Sequence, residues 1–146
     1  MRFLLMAILL AACSGNHQEN TVSMQKGCYF LEVGRDSLYV QMTETGEQVK
    51  GKIVFDNFEK DGSTGYFTGT LSGDTLKGWY DFESEGMRSV MEMIFLIKDS
   101  SLVRAEGNVD VKQDTTFFTN PSSVSFPIEN TYRLTDCLQH PVLQKY

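Results

Sequence analysis

The 146-residue chain is poor in histidine and proline and has no concentrated positive charge. It contains 2 His and 3 Pro, and its 13 Lys and Arg are outnumbered by 19 Asp and Glu, which gives a formal charge of −6. Nucleic-acid binding requires a concentrated basic face, so the scattered cations argue against it. His17 and His140 have no partners at metal-ligand spacing, and the glycines stand singly rather than in a phosphate-binding loop. We therefore expect neither a metal nor a cofactor.

Long apolar runs are also scarce, and the longest begins at Phe3 and ends at Ala12, directly after Arg2. This run is about half of the roughly 20 residues that a membrane-spanning helix needs, which is typical of a signal peptide. It ends in the sequence LAAC, which resembles the lipobox of bacterial lipoproteins. The resemblance implies cleavage after residue 12, a diacylglyceryl group on Cys13 and a lipid-anchored tether over residues 13–26. The alternative is an ordinary signal peptide with an incidental cysteine.

The residue after Cys13 is Ser14 rather than Asp. In Gram-negative lipoproteins the absence of Asp at that position implies transport to the outer membrane. We therefore expect a protein of the bacterial cell envelope that is anchored by lipid on Cys13, in the outer membrane.

Two further cysteines, Cys28 and Cys137, stand near the two ends of the remaining chain. An exported protein meets an oxidising environment, so these thiols predict a disulfide that closes a loop of more than 100 residues. Two unpaired buried cysteines, acting as small apolar residues, are the alternative.

From Cys28 onward, apolar residues recur with a period of two rather than 3.6, which predicts strands. Short polar turns such as Ser72-Gly73-Asp74 separate the runs and favour hairpins. The expected fold is all-β: one domain over 27–146, an antiparallel up-and-down meander of about seven or eight strands that forms a small barrel or a strongly curled sheet. The three prolines predict an irregular segment over 121–146 that crosses the sheet. The alternating apolar positions are Leu38, Val40, Met42, Val49, Ile53, Phe55, Phe67, Leu71, Leu76, Tyr80, Phe82, Val103, Ala105, Val109 and Val111, and the last four make one strand with Arg104 facing outward.

Four glycines, Gly51, Gly69, Gly78 and Gly107, share the parity of the apolar residues in their strands. One interpretation is that the strands bend sharply there, as small barrels require. The other is that the missing side chains leave a cavity for a ligand, as in lipocalin-like carriers.

Residues 89–97 are apolar on both parities apart from Glu92, so this strand is expected to be covered on both faces, with the C-terminal segment over its outer side. Met91, Met93 and Phe95 would line a ligand pocket under the carrier hypothesis. Under a protein-contact hypothesis, Trp79 with Tyr66 and Tyr39 would form an aromatic surface near the loops Asp56–Thr64 and Glu83–Arg88. The candidate binding residues are Trp79, Tyr80, Glu85, Arg88, Met91, Glu92, Met93 and Phe95.

No Ser-His-Asp arrangement is evident, and we identify no catalytic residue. Glu83, Glu85 and Glu92 lie near one another in sequence, as the carboxylates of a glycosidase would, so an enzyme acting on envelope glycans is the alternative to a non-enzymatic protein. A purely structural role in the envelope is a third hypothesis.

Several short elements between residues 27 and 97 resemble a group of small outer-membrane lipoproteins of Bacteroidota. They are Gly27-Cys28-Tyr29, Glu59-Lys60-Asp61, Gly73-Asp74-Thr75-Leu76 and Ser84-Glu85-Gly86, the last followed by Ser89-Val90 and Glu92. This resemblance implies that the chain belongs to the group, but it implies no activity. The expected architecture also looks loosely like that of calycin-type barrels. The sequence thus predicts an envelope lipoprotein that binds a small apolar ligand or a partner protein.

Overall fold

The computed structural model describes residues 24–144, so Cys13, the predicted signal peptide and most of the predicted tether lie outside the described residues. Ten strands and four short 3-10 turns make up the described part. The strands are β1 (Gly27–Val33), β2 (Asp36–Glu44), β3 (Gln48–Asp56), β4 (Ser63–Ser72), β5 (Thr75–Ser84), β6 (Met87–Lys98), β7 (Ser101–Arg104), β8 (Val109–Lys112), β9 (Thr115–Phe118) and β10 (Thr131–Thr135). The turns are Pro121–Ser123, Ile128–Asn130, Cys137–Gln139 and Pro141–Gln144.

Eight of the strands close into an antiparallel barrel, which confirms the predicted all-β meander. Strands β1 to β7 pair with their neighbours in chain order, and β10 pairs with both β1 and β7 to complete the ring. The interior holds one continuous apolar cluster to which the strands contribute alternate residues, as the period of two requires.

The segment 121–146 was predicted to be irregular, and this prediction was wrong for Thr131–Thr135, which forms the closing strand. Strands β1 and β7 would otherwise expose unpaired backbone edges, and even a five-residue strand satisfies both of them. The 3-10 turns on either side of this strand agree with the expected irregularity.

The predicted single strand through Val103 and Val111 was also wrong. Strand β7 ends at Arg104, and Val109 begins a separate hairpin, β8–β9, whose second strand lies parallel to β6 at Val90 and Thr115. Both β7 and β9 thus lie along β6, each beside a different part of it, since β6 has 12 residues and β7 has 4.

The side-chain parity of β7 is opposite to the predicted one. Asp99 and Ser100 form a two-residue turn with positive φ angles of 48° and 61°, and this turn sets Ile97 opposite Leu102. Because Ile97 faces the interior, Leu102 does too, and two residues later so does Arg104. Val103 and Ala105 face outward, where Ala105 is covered by a second apolar cluster.

The predicted disulfide is confirmed: Cys28 and Cys137 are bonded, with 5.2 Å between their Cα atoms. It lies on the outer face of the barrel, where Val54 and Leu143 pack in the same cluster as Cys28. The bond therefore fastens the C-terminal turns against strands β1 to β3.

Candidate binding site at the open end of the barrel

Met24 and Tyr29 belong to the core cluster at the end of the barrel at which β1 begins. The hydroxyl of Tyr29 donates a hydrogen bond of 2.8 Å to the carbonyl oxygen of Gln25. The side chains of these two residues therefore occupy the interior at this end.

The opposite end carries a cleft of about 460 Å³, which we call the mouth. Its volume falls within the range of small-molecule sites, about 300 to 1,000 Å³. Five apolar and seven polar side chains surround it. The lining residues are Val33, Asp36, Leu38, Phe55, Asn57, Asp61, Ser63, Phe82, Ser84, Met91, Arg104 and Asn130.

A second cleft of about 500 Å³, which we call the side cleft, adjoins the mouth where β7 ends beside β6. The two clefts share Met91 and Arg104. Beyond Arg104 the chain leaves the barrel wall, and Gly107 and Phe118 line the far part of the side cleft. The cleft at the end of the barrel and the cleft on its flank thus meet at Met91 and Arg104.

The inward glycines of the strands do not create these clefts. A Cβ at Gly78 would lie 2.3 Å from the carbonyl oxygen of Thr68 and 2.7 Å from the ring of Phe67. A Cβ at Gly69 would lie 2.8 Å from the same ring, and one at Gly51 would lie 2.6 Å from the backbone oxygen of Gln41. Close backbone approach and the Phe67 ring take up this space, which contradicts the cavity interpretation for these three glycines. Gly107 lies outside the strands.

Two fully buried tyrosines, Tyr80 and Tyr132, belong to the core cluster of the barrel. The Tyr80 hydroxyl lies 3.1 Å from that of Ser63 and donates to the Ile53 carbonyl oxygen at 3.2 Å. Burial raises the pKa of Tyr80 to about 12, and the nearby Tyr132 adds to the shift. Burial likewise raises the pKa of Tyr132 to about 12.

Tyr132 differs from the other buried tyrosines because its hydroxyl is the one buried side-chain polar atom in residues 24–144 that lacks a hydrogen-bond partner. Its ring packs edge-on against Phe95 at 5.9 Å. The guanidinium of Arg104 is close enough to lower the pKa of this phenol against the effect of burial, but the two groups do not meet in hydrogen-bonding geometry.

Arg104 is the cation of the mouth. Its side chain is half-buried, and its guanidinium carbon lies 5.7 Å from the centre of the Phe55 ring. None of the ion pairs formed among the described residues involves Arg104. The mouth therefore combines five apolar residues with an arginine that has no carboxylate partner among the described residues. The Tyr132 phenol lines neither cleft, but it lies close enough to Arg104 for the guanidinium to lower its pKa.

The structure brings four of the predicted binding residues into the interior, namely Tyr80, Met91, Met93 and Phe95. Of these four, only Met91 lines the mouth, whereas both Met91 and Met93 line the side cleft. Phe95 lies deeper, edge-on to Phe67 at 5.9 Å.

Three other predicted residues, Trp79, Arg88 and Glu92, face away from the interior, opposite in parity to Tyr80 and Met91. Arg88 forms an ion pair with Asp81 that lowers the pKa of that carboxyl. Glu92 is buried beneath the β8–β9 hairpin, where it accepts a 2.9 Å hydrogen bond from the Phe118 amide. Its second oxygen lies 2.9 Å from the Lys77 ammonium nitrogen. Glu92 thus fastens the hairpin to β6.

The predicted aromatic surface forms in part. Trp79 is 45% exposed and Tyr66 is 70% exposed, and they lie on the neighbouring strands β5 and β4. Tyr39 belongs to a different cluster, in which its ring lies 5.1 Å from that of Phe30 and 5.2 Å from that of His140.

Glu85 occupies the β5–β6 turn with a positive φ of 53°. A hydrogen bond with the Asp61 carboxyl raises the pKa of Glu85, and the charge of Asp61 adds to the shift. Glu85 and Glu83 line a surface cleft of about 620 Å³ that Glu92 does not line. The three glutamates therefore do not share one cleft.

The strand covered on both faces was predicted correctly. Met91, Met93, Phe95 and Ile97 face the core, while Ile94 packs outward against residues that follow β9. Val124 and Phe126 supply part of this cover, as expected of the segment after residue 121.

Sequence reasoning missed Arg104 and Tyr132 as site residues. Arg104 was assigned outward, and Tyr132 fell in the segment expected to be irregular. The signal for Arg104 was present, because a two-residue turn after Lys98 pairs Ile97 with Leu102 and so turns Arg104 inward.

Within residues 24–144, no helix is long and apolar enough to cross a membrane. The same part of the chain contains no group of three or more His, Cys, Asp or Glu side chains arranged to hold a metal ion. Comparison with known proteins found no family model that matches the chain, and no curated protein or solved structure with significant similarity to it.

Proposed function

We propose that this domain is a non-enzymatic binding module that receives a small, largely apolar molecule through the mouth of its barrel. The observation that carries the proposal is the mouth itself, a cleft of about 460 Å³ walled by Leu38, Phe55, Phe82 and Met91. Sites for small molecules combine apolar walls with placed polar groups, and in the mouth seven polar residues accompany the five apolar ones.

The setting we propose for this module is the bacterial cell envelope, with lipid on Cys13 holding the domain at the outer membrane. The sequence LAAC after a short apolar run supports the anchor. The disulfide between Cys28 and Cys137 agrees with an exported protein, because such bonds persist in oxidising compartments. A tethered barrel there would hold a ligand that has low solubility in water.

A fluorescence titration with N-phenyl-1-naphthylamine, a neutral apolar dye, tests the binding function. The matched variants are M91W and M87W, which make the same substitution on the same strand. Met91 lines the mouth, whereas Met87, the first residue of β6, is 66% exposed and does not line it. We expect the unmodified protein and M87W to bind the dye, and M91W to lose binding because the indole fills the cleft.

Circular dichroism and a urea transition for each variant establish that both are folded. If the unmodified protein binds no dye, or if M91W and M87W bind it equally, the mouth is not a ligand site. Native mass spectrometry of the purified protein adds an independent readout, since a retained small molecule would appear as a mass increment that M91W lacks.

A partner protein is a second candidate, favoured by the exposed Trp79 and Tyr66 on the outer face of β5 and β4. Exposed aromatic side chains of this kind serve as anchors in protein interfaces. Crosslinking in cells with a photoreactive residue at position 66 tests this candidate. A single partner captured at position 66 but not at the exposed position 133 of β10, a strand that does not adjoin β4 or β5, would support it.

A further inference from the structure

We propose that the ligand of the mouth is a carboxylate with an apolar chain, whose charged group binds between the Arg104 guanidinium and the Tyr132 hydroxyl. This inference rests on the proposed binding function and specifies the chemical class of the ligand. It follows from two polar groups of the interior that the protein itself leaves without matching partners.

Arg104 is the first of these groups. It faces the interior from the last position of β7 and lines both the mouth and the side cleft. A guanidinium presents five N–H donors in a planar fork that matches a carboxylate, and removing it from water is unfavourable unless those donors are satisfied. Among the described residues its side chain faces the Phe55 ring and the Tyr132 phenol, and no carboxylate is within ion-pair distance.

Tyr132 is the second group and an independent observation. Its side chain is fully buried, and its hydroxyl has no hydrogen-bond partner within residues 24–144. The hydroxyls of Tyr29 and Tyr80, which are equally buried, are both paired. A buried hydroxyl without a partner is unfavourable. Tyr132 lines neither cleft, but it lies beside Arg104, which lines both, so we assign the missing partner to a carboxylate bound at Arg104. A phenol can donate to a carboxylate oxygen while the guanidinium donates to the other.

The carboxylates around the open end are engaged elsewhere and do not neutralise Arg104. Asp36 accepts a 2.8 Å hydrogen bond from the Phe58 amide. Glu106 accepts one of 2.8 Å from the Asn130 side chain, and Asp61 is bonded to Glu85. Their negative charge at the rim disfavours small, multiply charged anions such as phosphate, because one arginine cannot offset the repulsion. A single carboxylate on an apolar chain also gains from the apolar wall.

Isothermal titration of the purified protein with dodecanoate and dodecanol, below the concentrations at which they form micelles, tests the inference. The two probes share an apolar chain and differ in the charged group. We expect dodecanoate to bind at least about tenfold more tightly, as a charge-assisted hydrogen bond implies. R104Q should lower the dodecanoate affinity to that of dodecanol and leave dodecanol within about twofold of its original affinity, because the apolar wall is unchanged.

Three further variants separate charge recognition from folding. R104K keeps the positive charge and should retain part of the preference for dodecanoate. Y132F should weaken dodecanoate several-fold and leave dodecanol unchanged. R88Q removes an arginine from the outer face and should leave both affinities as they were, since Arg88 pairs with Asp81 away from the mouth.

The outcomes distinguish this inference from the function on which it rests. If both probes bind equally to the unmodified protein, or if R104Q keeps the preference, the mouth is a ligand site without anion recognition and the inference is wrong. If neither probe binds and the neutral dye also fails to bind, the proposed binding function is wrong as well. A third outcome would be that R104Q loses affinity for both probes equally while R104K binds both as the original protein does. Arg104 would then shape the site rather than recognise charge, which also overturns the inference.

Discussion

Removing the Cys28–Cys137 disulfide tests how the barrel is held closed. The double variant C28A/C137A deletes a cross-link between residues separated by 109 positions, which is nearly the whole described domain. Strand β1 contains the first cysteine, and the second follows β10, the strand that closes the barrel against β1. In the oxidised protein these two strands stay tethered even when the chain unfolds.

The magnitude follows from loop-closure entropy. For a loop of this length the chain-entropy relation gives about 16 cal/mol/K, which is about 4.8 kcal/mol at room temperature. Loss of the two buried sulfur atoms from the cluster with Val54 and Leu143 adds up to about 1 kcal/mol for each cysteine. We therefore expect the free energy of unfolding to fall by about 5 to 7 kcal/mol, a large share of the 5 to 15 kcal/mol typical of a domain.

The assay is urea unfolding followed by circular dichroism, performed on the oxidised protein, the reduced protein and C28A/C137A. The reduced protein keeps both sulfur atoms, so its difference from the oxidised form isolates the cross-link. The dependence of the free energy on urea should also steepen without the bond, because the unfolded chain then exposes more surface. If the reduced and oxidised proteins differ by less than about 1 kcal/mol, the entropic argument is refuted for this barrel.

Two further predictions concern the interior. G78A should lower the free energy of unfolding by about 2 to 3 kcal/mol in a urea melt, because its Cβ would lie 2.3 Å from the Thr68 carbonyl oxygen. Gly73 has a positive φ of 61°, but a Cβ there would meet no atom within 4 Å, so G73A should lower the free energy of unfolding by only about 1 kcal/mol. Equal losses in G78A and G73A would refute the steric explanation. The buried phenols of Tyr80 and Tyr132, each with its pKa raised from 10.0 to about 12, should make stability pH-dependent. Their contribution is fully present below pH 10 and is lost as the pH rises towards 12, by roughly 1 kcal/mol for each phenol at about pH 11. Urea melts of Y80F/Y132F across this range should show a weaker dependence, and an unchanged one would contradict the burial effect.

Much of the barrel was predictable because a strand with one buried face must alternate. The period of two identified the inward residues of β2 to β6 correctly, from Leu38 to Ile97. The position of the cysteines also predicted which ends of the domain meet. These features are local in sequence, or depend on a covalent bond whose chemistry is independent of the fold.

The errors arose where tertiary pairing overrides the local pattern. Thr131–Thr135 has few apolar residues and lies between two 3-10 turns, so its strand conformation depends on the edges of β1 and β7 on either side. Val109 and Val111 continue an apparent alternation from β7, yet they belong to an exposed hairpin outside the barrel. No short window of sequence distinguishes these cases.

The candidate site was harder to predict than the fold because it breaks the pattern used to find the fold. Arg104 faces inward, but its neighbours Val103 and Ala105 are both apolar. The alternating pattern therefore predicts that these two residues face the interior and that Arg104 faces solvent. Ala105 is buried because Phe118 and the segment after β9 cover the outer face of the barrel near Ile94. Departures from local consistency of this kind concentrate at functional sites.

A side chain that is present for ligand binding rather than for stability should be replaceable with a gain in stability. Methionine matches the length of the Arg104 stem and would extend the apolar wall that Phe55 and Met91 form, without a charge that lacks a carboxylate partner. Replacing unpaired or poorly paired charges in such positions commonly stabilises a domain, so R104M should raise the free energy of unfolding by about 0.5 to 1 kcal/mol in urea. The same variant should bind dodecanol as before and lose its preference for dodecanoate. If R104M instead unfolds at lower urea than the original protein, Arg104 stabilises the empty barrel, and its inward position is explained without a ligand.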